Sequence, residues 1–202
     1  MKRIFQIISI VSLLVFTAAC SSANKTAERP APNINLQKVE TGKQILVVYY
    51  SKTGNTERVA RDIAGSLGAD IEKLLDKKER TGCLNYLIAG KDSMRENATE
   101  IEPENFDASK FDIVIMGSPV WSWNMTPAIR TYIENNKGKF KQVAFFVTSG
   151  NTDMKEVLPY LETISGKKAV ASTGFNSKEL KDDALYAQKI TKFLESFAGK
   201  SR

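Results

Sequence analysis

Val48-Tyr49-Tyr50-Ser51-Lys52-Thr53-Gly54-Asn55-Thr56 joins an apolar run to a Gly-Asn turn crowded with hydroxyls. The run, Ile45 to Tyr50, has no polar interruption, which is the pattern of a strand covered on both faces. Beyond the turn, Val59, Ala60, Ile63, Ala64 and Leu67 recur at helical spacing until Gly68 stops them. A strand buried on both faces and followed at once by a helix belongs to a parallel sheet. What the turn holds depends on the rest of the chain.

Outward from this unit the alternation repeats. Asp70 to Leu75 is a weaker strand, whereas Phe111 to Gly117 and Val143 to Thr148 are strong ones, and Ala169 to Thr173 is a fifth. Thr126 to Asn135, Met154 to Ile164 and Ala184 to Phe197 carry helical patterns between and after them. Asp76 to Asp107, around Cys83, Leu84, Tyr86, Leu87 and Ile88, is expected to form one helix plus a loop. The predicted fold is therefore α/β: a doubly wound, five-stranded parallel sheet between two helical layers, in one domain over 43–202.

The chain has 202 residues, 42% of them hydrophobic and 26% charged, enough for one well-buried core. Its N-terminus differs in texture. Lys2 and Arg3 precede an apolar stretch from Ile4 to Ala19, the layout of a secretory signal over 1–19. That stretch ends in Phe16-Thr17-Ala18-Ala19-Cys20, which resembles the bacterial lipobox, with Thr17 in place of the usual Leu. A lipidated Cys20 is the expectation. An ordinary signal peptide or an uncleaved anchor stays open, but neither accounts for the position of the cysteine. Residues 20–42, polar and containing Pro30 and Pro32, read as a flexible tether to the membrane. The chain is then exported and lipid-anchored. In a Gram-negative host this means the periplasmic face, with the outer membrane favoured because Ser21 and Ser22 lack the aspartate of inner-membrane retention.

Cys20 and Cys83 are the only cysteines, and there is no histidine. A lipidated Cys20 leaves Cys83 without a partner, so no disulfide framework and no zinc or histidine-based catalytic centre is expected. Cys83 itself reads as a small half-buried apolar residue rather than a reactive thiol. The net charge of +6 splits evenly between residues 1–42 and the remainder, leaving a mildly basic domain with interspersed signs. That excludes a nucleic-acid-binding footprint.

In an open parallel sheet, ligands bind beyond the carboxyl ends of the strands. Three loops matter there: Ser51 to Thr56, Ser118-Pro119-Val120-Trp121-Ser122-Trp123-Asn124, and Ser149-Gly150-Asn151-Thr152. The first suits a phosphate. Gly54 lets backbone amides converge, the next helix adds unpaired N–H groups, and Ser51, Thr53 and Thr56 can donate O–H bonds. It is neither a Walker A motif nor a three-glycine dinucleotide fingerprint. A helix cap at Thr53 or Asn55 is the plainer alternative, but a cap needs one such residue and the loop supplies several. Trp121 and Trp123 in the second loop offer the surface a planar ring needs. Together the loops describe a phosphorylated aromatic cofactor.

Tyr50-Ser51-Lys52-Thr53-Gly54-Asn55-Thr56 resembles the flavodoxin phosphate-loop signature, (S/T)-x-T-G-x-T. Gly117-Ser118-Pro119-Val120-Trp121, followed by Pro127-Ala128-Ile129-Arg130-Thr131-Tyr132, is similar to a segment of a bacterial flavodoxin-like subgroup. The resemblance covers about Lys43 to Arg202. It implies sheet order 2-1-3-4-5 and an FMN cofactor. Ser51, Thr53, Gly54, Asn55 and Thr56 would hold its phosphate. Pro119, Val120, Trp121 and Asn124 would border the isoalloxazine, and Ser149, Gly150 and Asn151 would close its other edge. The third loop lacks an aromatic residue, so one flavin face is open to a substrate or partner.

The leading expectation is an electron-transfer flavoprotein serving a redox partner protein of unknown identity, with no catalytic side chain and no metal. An FMN-dependent NAD(P)H oxidoreductase acting on quinones or nitro compounds is the second. A flavin-free interaction module on the same fold is the third.

Overall fold

Apolar side chains divide across the central strands with a period of two, and the division builds two cores. The computed structural model describes residues 36–78 and 97–199. In chain order its elements are β1 (Ile45–Tyr49), α1 (Asn55–Leu67), β2 (Asp70–Lys73), β3 (Ile113–Trp121) and β4 (Asn124–Met125). They continue as α2 (Pro127–Asn136), β5 (Gln142–Ser149), α3 (Met154–Ser165), β6 (Ala169–Asn176) and α4 (Asp183–Glu195). Ile45, Val47, Ile113, Ile115, Ala144 and Phe146 face α1 and α4. Leu46, Val48, Val114, Met116, Phe145 and Val147 face α2 and α3. Every one of these side chains is buried, and fully burying a Val, Leu, Ile, Phe or Met side chain is worth about 1.5–3 kcal/mol.

The sheet runs β2-β1-β3-β5-β6, with β4 pairing only to β3. The five long strands are parallel and, counted without β4, stand in the expected order 2-1-3-4-5. The two-residue β4 is the difference. The Ser118–Asn124 loop is a hairpin: β3 continues to Trp121 and returns antiparallel, with Val120 opposite Met125 and Trp121 opposite Asn124. Its turn residues, Ser122 and Trp123, take φ of 47° and 63°. Two consecutive left-handed residues make the tight turn that suits strand twist, a place usually taken by Asn-Gly. Without that dipeptide the sequence carried no hairpin signal.

Gly117 lies where β3 leaves the core. A Cβ there would stand 1.9 Å from the Phe146 ring on β5, so only glycine lets these strands pack. The interior of α1 fits its apolar stripe, and Gly68 closes it in the left-handed conformation while donating its N–H to Ala64 O.

Residues 36–42, within the expected tether, lie against the domain. Leu36 and Val39 pack on the α1/α4 core. Val39 N–H donates to Ser66 O at 2.8 Å, and Glu40 O accepts from Gly199 N–H at 3.1 Å. The signal segment, Cys20, most of the tether and the helix expected around Cys83 lie outside the described residues. Among the described residues, no helix is long and apolar enough to cross a membrane.

Candidate functional site

Contacts between the predicted loops bring them together at the carboxyl edge of the sheet. Thr56, the first buried residue of α1, is 1% exposed, and its hydroxyl lies 2.8 Å from that of Thr148 on β5. This bond joins the first loop to the third. Tyr50 meets the Trp121 ring edge to face, with centroids 5.6 Å apart and planes at 88°. That contact joins the first loop to the second, and Tyr50 N–H also donates to Gly117 O at 3.1 Å.

The first loop turns on Gly54, whose φ of 85° would strain a side chain. Gly54 is also the N-cap of α1, and no side chain caps the helix. Neither Thr53 nor Asn55 takes the capping role, in contrast to the capping box of Asp153 and Glu156 on α3 and the Asp182 cap of α4. The first-turn amides of α1 therefore lack a side-chain acceptor, and the helix presents its positive end to the loop. Ser51 Oγ is buried and has no hydrogen-bond partner among the described residues. A buried hydroxyl without a partner costs about 1–3 kcal/mol, unless a ligand supplies the acceptor. Thr53 and Gly54 are exposed, and Asn55 is half-buried.

The second loop is held at its base by Ser118, 1% exposed, whose Oγ accepts from Thr126 N–H at 3.0 Å. Pro119, Val120, Trp121 and Asn124 are half-buried along the hairpin, and Asn124 Oδ1 accepts from Met125 N–H at 2.8 Å. Trp123 stands out at the turn with 72% of its surface exposed. An exposed Trp on a left-handed backbone costs hydration and strain together. In the third loop, Ser149 Oγ donates to Thr152 O at 2.7 Å, and Gly150 and Asn151 are exposed.

Thus all twelve predicted cofactor residues lie at one edge, but their parts differ. Thr56 is turned inward as a tie, while Ser51 is the hydroxyl left waiting. Two neighbours were missed by the sequence reasoning. Thr148 reads in the sequence as the end of its strand, and Tyr50, though it opens the phosphate-loop resemblance, as the end of the apolar run. Position alone could have flagged Thr148, since it directly precedes the Ser149-Gly150 turn.

Hydroxyls, amides, backbone N–H groups and aromatic faces make up this edge. The groups with displaced pKa values lie elsewhere. Burial, with the nearby Glu57 charge, pushes the Tyr49 phenol up to about 12 beneath α1, and hydrogen bonds from Lys73 and Arg61 hold Glu57 below its ordinary range. The residues fit a phosphate-bearing planar ligand: buried and backbone donors for the anion, Trp faces for the ring, and a small-residue rim opposite.

A doubly wound parallel sheet with a glycine turn and an uncapped helix start at its carboxyl edge has the layout of the flavodoxin type. The flavodoxin family model matches residues 44–197, and the chain belongs to that family. No curated protein matches the chain in sequence comparison. Among solved structures, a flavoprotein of Lactobacillus acidophilus NCFM, solved in complex with FMN, is 25% identical with a TM-score of 0.58. The match covers 69% of this chain and 97% of that one. A protein of Bacteroides eggerthii DSM 20697 assigned as a flavoprotein has 23% identity and a TM-score of 0.58, over 73% of this chain and 98% of its own. The Trp repressor binding protein of Bacillus subtilis shares the fold at 14% identity and a TM-score of 0.53, over 74% and 99%.

Proposed function

We propose that the chain is an FMN-binding electron-transfer flavoprotein, tethered through lipidated Cys20 to an extracytoplasmic membrane face. The observation that carries the cofactor assignment is the buried, unpartnered Ser51 hydroxyl beside the uncapped start of α1. FMN is the cofactor. Ser51, Thr53, Gly54 and Asn55 would hold its phosphate together with the backbone N–H of Thr56, and Trp121 with the 119–124 hairpin would border the ring. When bound, FMN supplies one- or two-electron redox chemistry.

The protein's own part is placement and tuning. Tyr50 fixes the Trp121 ring edge-on. Thr56 and Thr148 pin the phosphate loop to the sheet. The half-buried hairpin limits water on one side of the site, whereas the exposed Gly150 and Asn151 leave the other rim accessible. That open rim is where a redox partner protein would approach. It also favours a second reading, an FMN-dependent NAD(P)H oxidoreductase whose substrate enters there.

A visible absorption spectrum of the purified protein tests the cofactor, and a colourless protein that leaves added FMN fluorescence unquenched would mark a flavin-free interaction module. Steady-state oxidation of NAD(P)H by the FMN-loaded protein separates the two flavin readings. Turnover no faster than that of free FMN is expected, and turnover well above it overturns the carrier assignment.

A further inference from the structure

The opposite edge of the sheet, where the strands begin, carries an open cavity of about 640 Å³. Four lysines line it, Lys38, Lys43, Lys110 and Lys141, against two carboxylates, Glu40 and Asp112. All four lysines are exposed. Asp112, its side chain 45% exposed, accepts from Gln44 N–H at 3.0 Å and pairs with Lys141 at 3.4 Å. Lys43 reaches Gln142 Oε1 at 3.3 Å and shares the Asp112 charge with Lys141. Lys137 and Lys139 before β5 and Lys167 before β6 extend the lysine row along the same edge, where Lys168 is paired with Glu162 at 2.7 Å. The four lysines lining the cavity outnumber its two carboxylates, which leaves a local positive excess on this wall.

The same edge is where the N-terminal part of the chain meets the domain. Residues Lys38 to Gln44 form part of the cavity wall, held by the Val39–Ser66 and Gly199–Glu40 bonds. At most ~3.6 Å per residue, the stretch from Ser21 to Asn35 spans no more than about 54 Å in any conformation. A lipid on Cys20 would therefore hold this floor near the bilayer and raise its effective concentration there. Lysines attract anionic headgroups within about 8–10 Å. The cofactor edge lies about 26 Å away, the length of β3 at ~3.3 Å per residue, and so beyond that field.

We propose that the lysine-lined floor docks on an anionic phospholipid surface and turns the cofactor loops away from the bilayer. The proposal rests on the lipid-anchor reading above. The lysines are spread over the starts of several strands and are solvent-exposed, which suits a field of headgroups rather than one enclosed phosphate. Docked this way, the domain offers its open rim to a partner in the aqueous phase and denies it to a quinone dissolved in the membrane.

The test uses the full chain, reconstituted into neutral phosphatidylcholine vesicles and into vesicles containing phosphatidylglycerol. A pulse of amine acetylation is read by mass spectrometry. With anionic lipid, Lys43, Lys110 and Lys141 should react about fivefold more slowly than in neutral vesicles. Lys178 and Lys181 at the cofactor edge should not change. High salt should erase the difference, and the exposed charge reversals Lys43→Glu with Lys110→Glu should remove the protection of Lys141. A chain that floats with both vesicles but reacts equally in each overturns the docking and leaves the anchor standing. A chain that floats with neither at high salt overturns the anchor and the docking with it. Protection produced in neutral vesicles by inorganic phosphate alone also overturns the lipid assignment.

Discussion

Ser51→Ala separates a ligand-binding hydroxyl from a structural one, because the two roles have opposite signs in stability and affinity. In the folded chain the Ser51 oxygen is buried without a partner among the described residues. Deleting it removes a desolvation cost of about 1–3 kcal/mol and creates only a small void, so the apoprotein should become more stable by about 1 kcal/mol. Over a domain of this size that raises Tm by about 2–4 °C. FMN affinity should move the other way. A hydroxyl bonded to a phosphate oxygen is worth about 1.5–3 kcal/mol, which weakens Kd about 10- to 150-fold. Apoprotein melting, followed by calorimetry, and titration of FMN fluorescence read the two quantities on the same preparation. Thr56→Val makes the contrast. It breaks the 2.8 Å bond to Thr148 and orphans that buried hydroxyl, so it should destabilise the apoprotein by about 1–3 kcal/mol. If Ser51→Ala lowers stability and leaves Kd unchanged, the oxygen has a structural role and the phosphate assignment to Ser51 is wrong.

Trp123→Gly should raise the apoprotein Tm by several degrees, since a non-glycine residue at φ 63° stores about 1–3 kcal/mol. The same variant should weaken FMN binding about threefold to tenfold by losing ring contact, read by the same titration. Gly117→Ala forces a Cβ to within 1.9 Å of Phe146 and should cost about 3 kcal/mol or prevent folding, measured by urea denaturation. Burial holds the Glu72 carboxyl, 3% exposed, above its ordinary range. Its folded-state pKa exceeds the unfolded one, so the native state binds the proton more tightly. Stability is gained as pH falls from neutral through the folded pKa, and Glu72→Gln should flatten that part of a urea-midpoint profile against pH.

The five long strands were legible because each is a short apolar run bounded by turn residues, and burial on both faces leaves no other use for such runs. The order followed from family resemblance rather than from periodicity. The loop after β1 stands out in the sequence for its surplus of hydroxyls, but the division of labour within it does not. Nothing in the sequence says that Thr56 turns in toward Thr148, a contact spanning 92 residues, while Ser51 is left unpartnered. The hairpin after β3 stayed hidden because Ser122 and Trp123 adopt positive φ against their own preference. Leu36 and Val39 were likewise assigned to the tether, since two apolar residues in a polar stretch form no period.

Three of these exceptions share one edge of the sheet. Elsewhere most helix ends follow local rules: α3 has a full capping box, Asp182 caps α4, and Gly68 and Gly166 end their helices in the left-handed conformation. Even so, α3 carries Pro159 in its interior, and the buried Tyr132 hydroxyl on α2 also has no partner among the described residues. Three departures stand together beside β1 and β3 at the carboxyl edge. There lie an uncapped helix start, a buried hydroxyl without a partner and a tryptophan exposed on a strained turn. Each is a cost that the packed sheet beneath can sustain, and each is relieved by a different part of one ligand. The helix amides and Ser51 lack an anion; Trp123 lacks an aromatic surface to cover. A single phosphate would satisfy the first two and leave the third unexplained, whereas a flat ring alone would do the reverse. A ring carrying a phosphate accounts for all three, and that is why the edge as a whole, more than any one residue in it, specifies the cofactor.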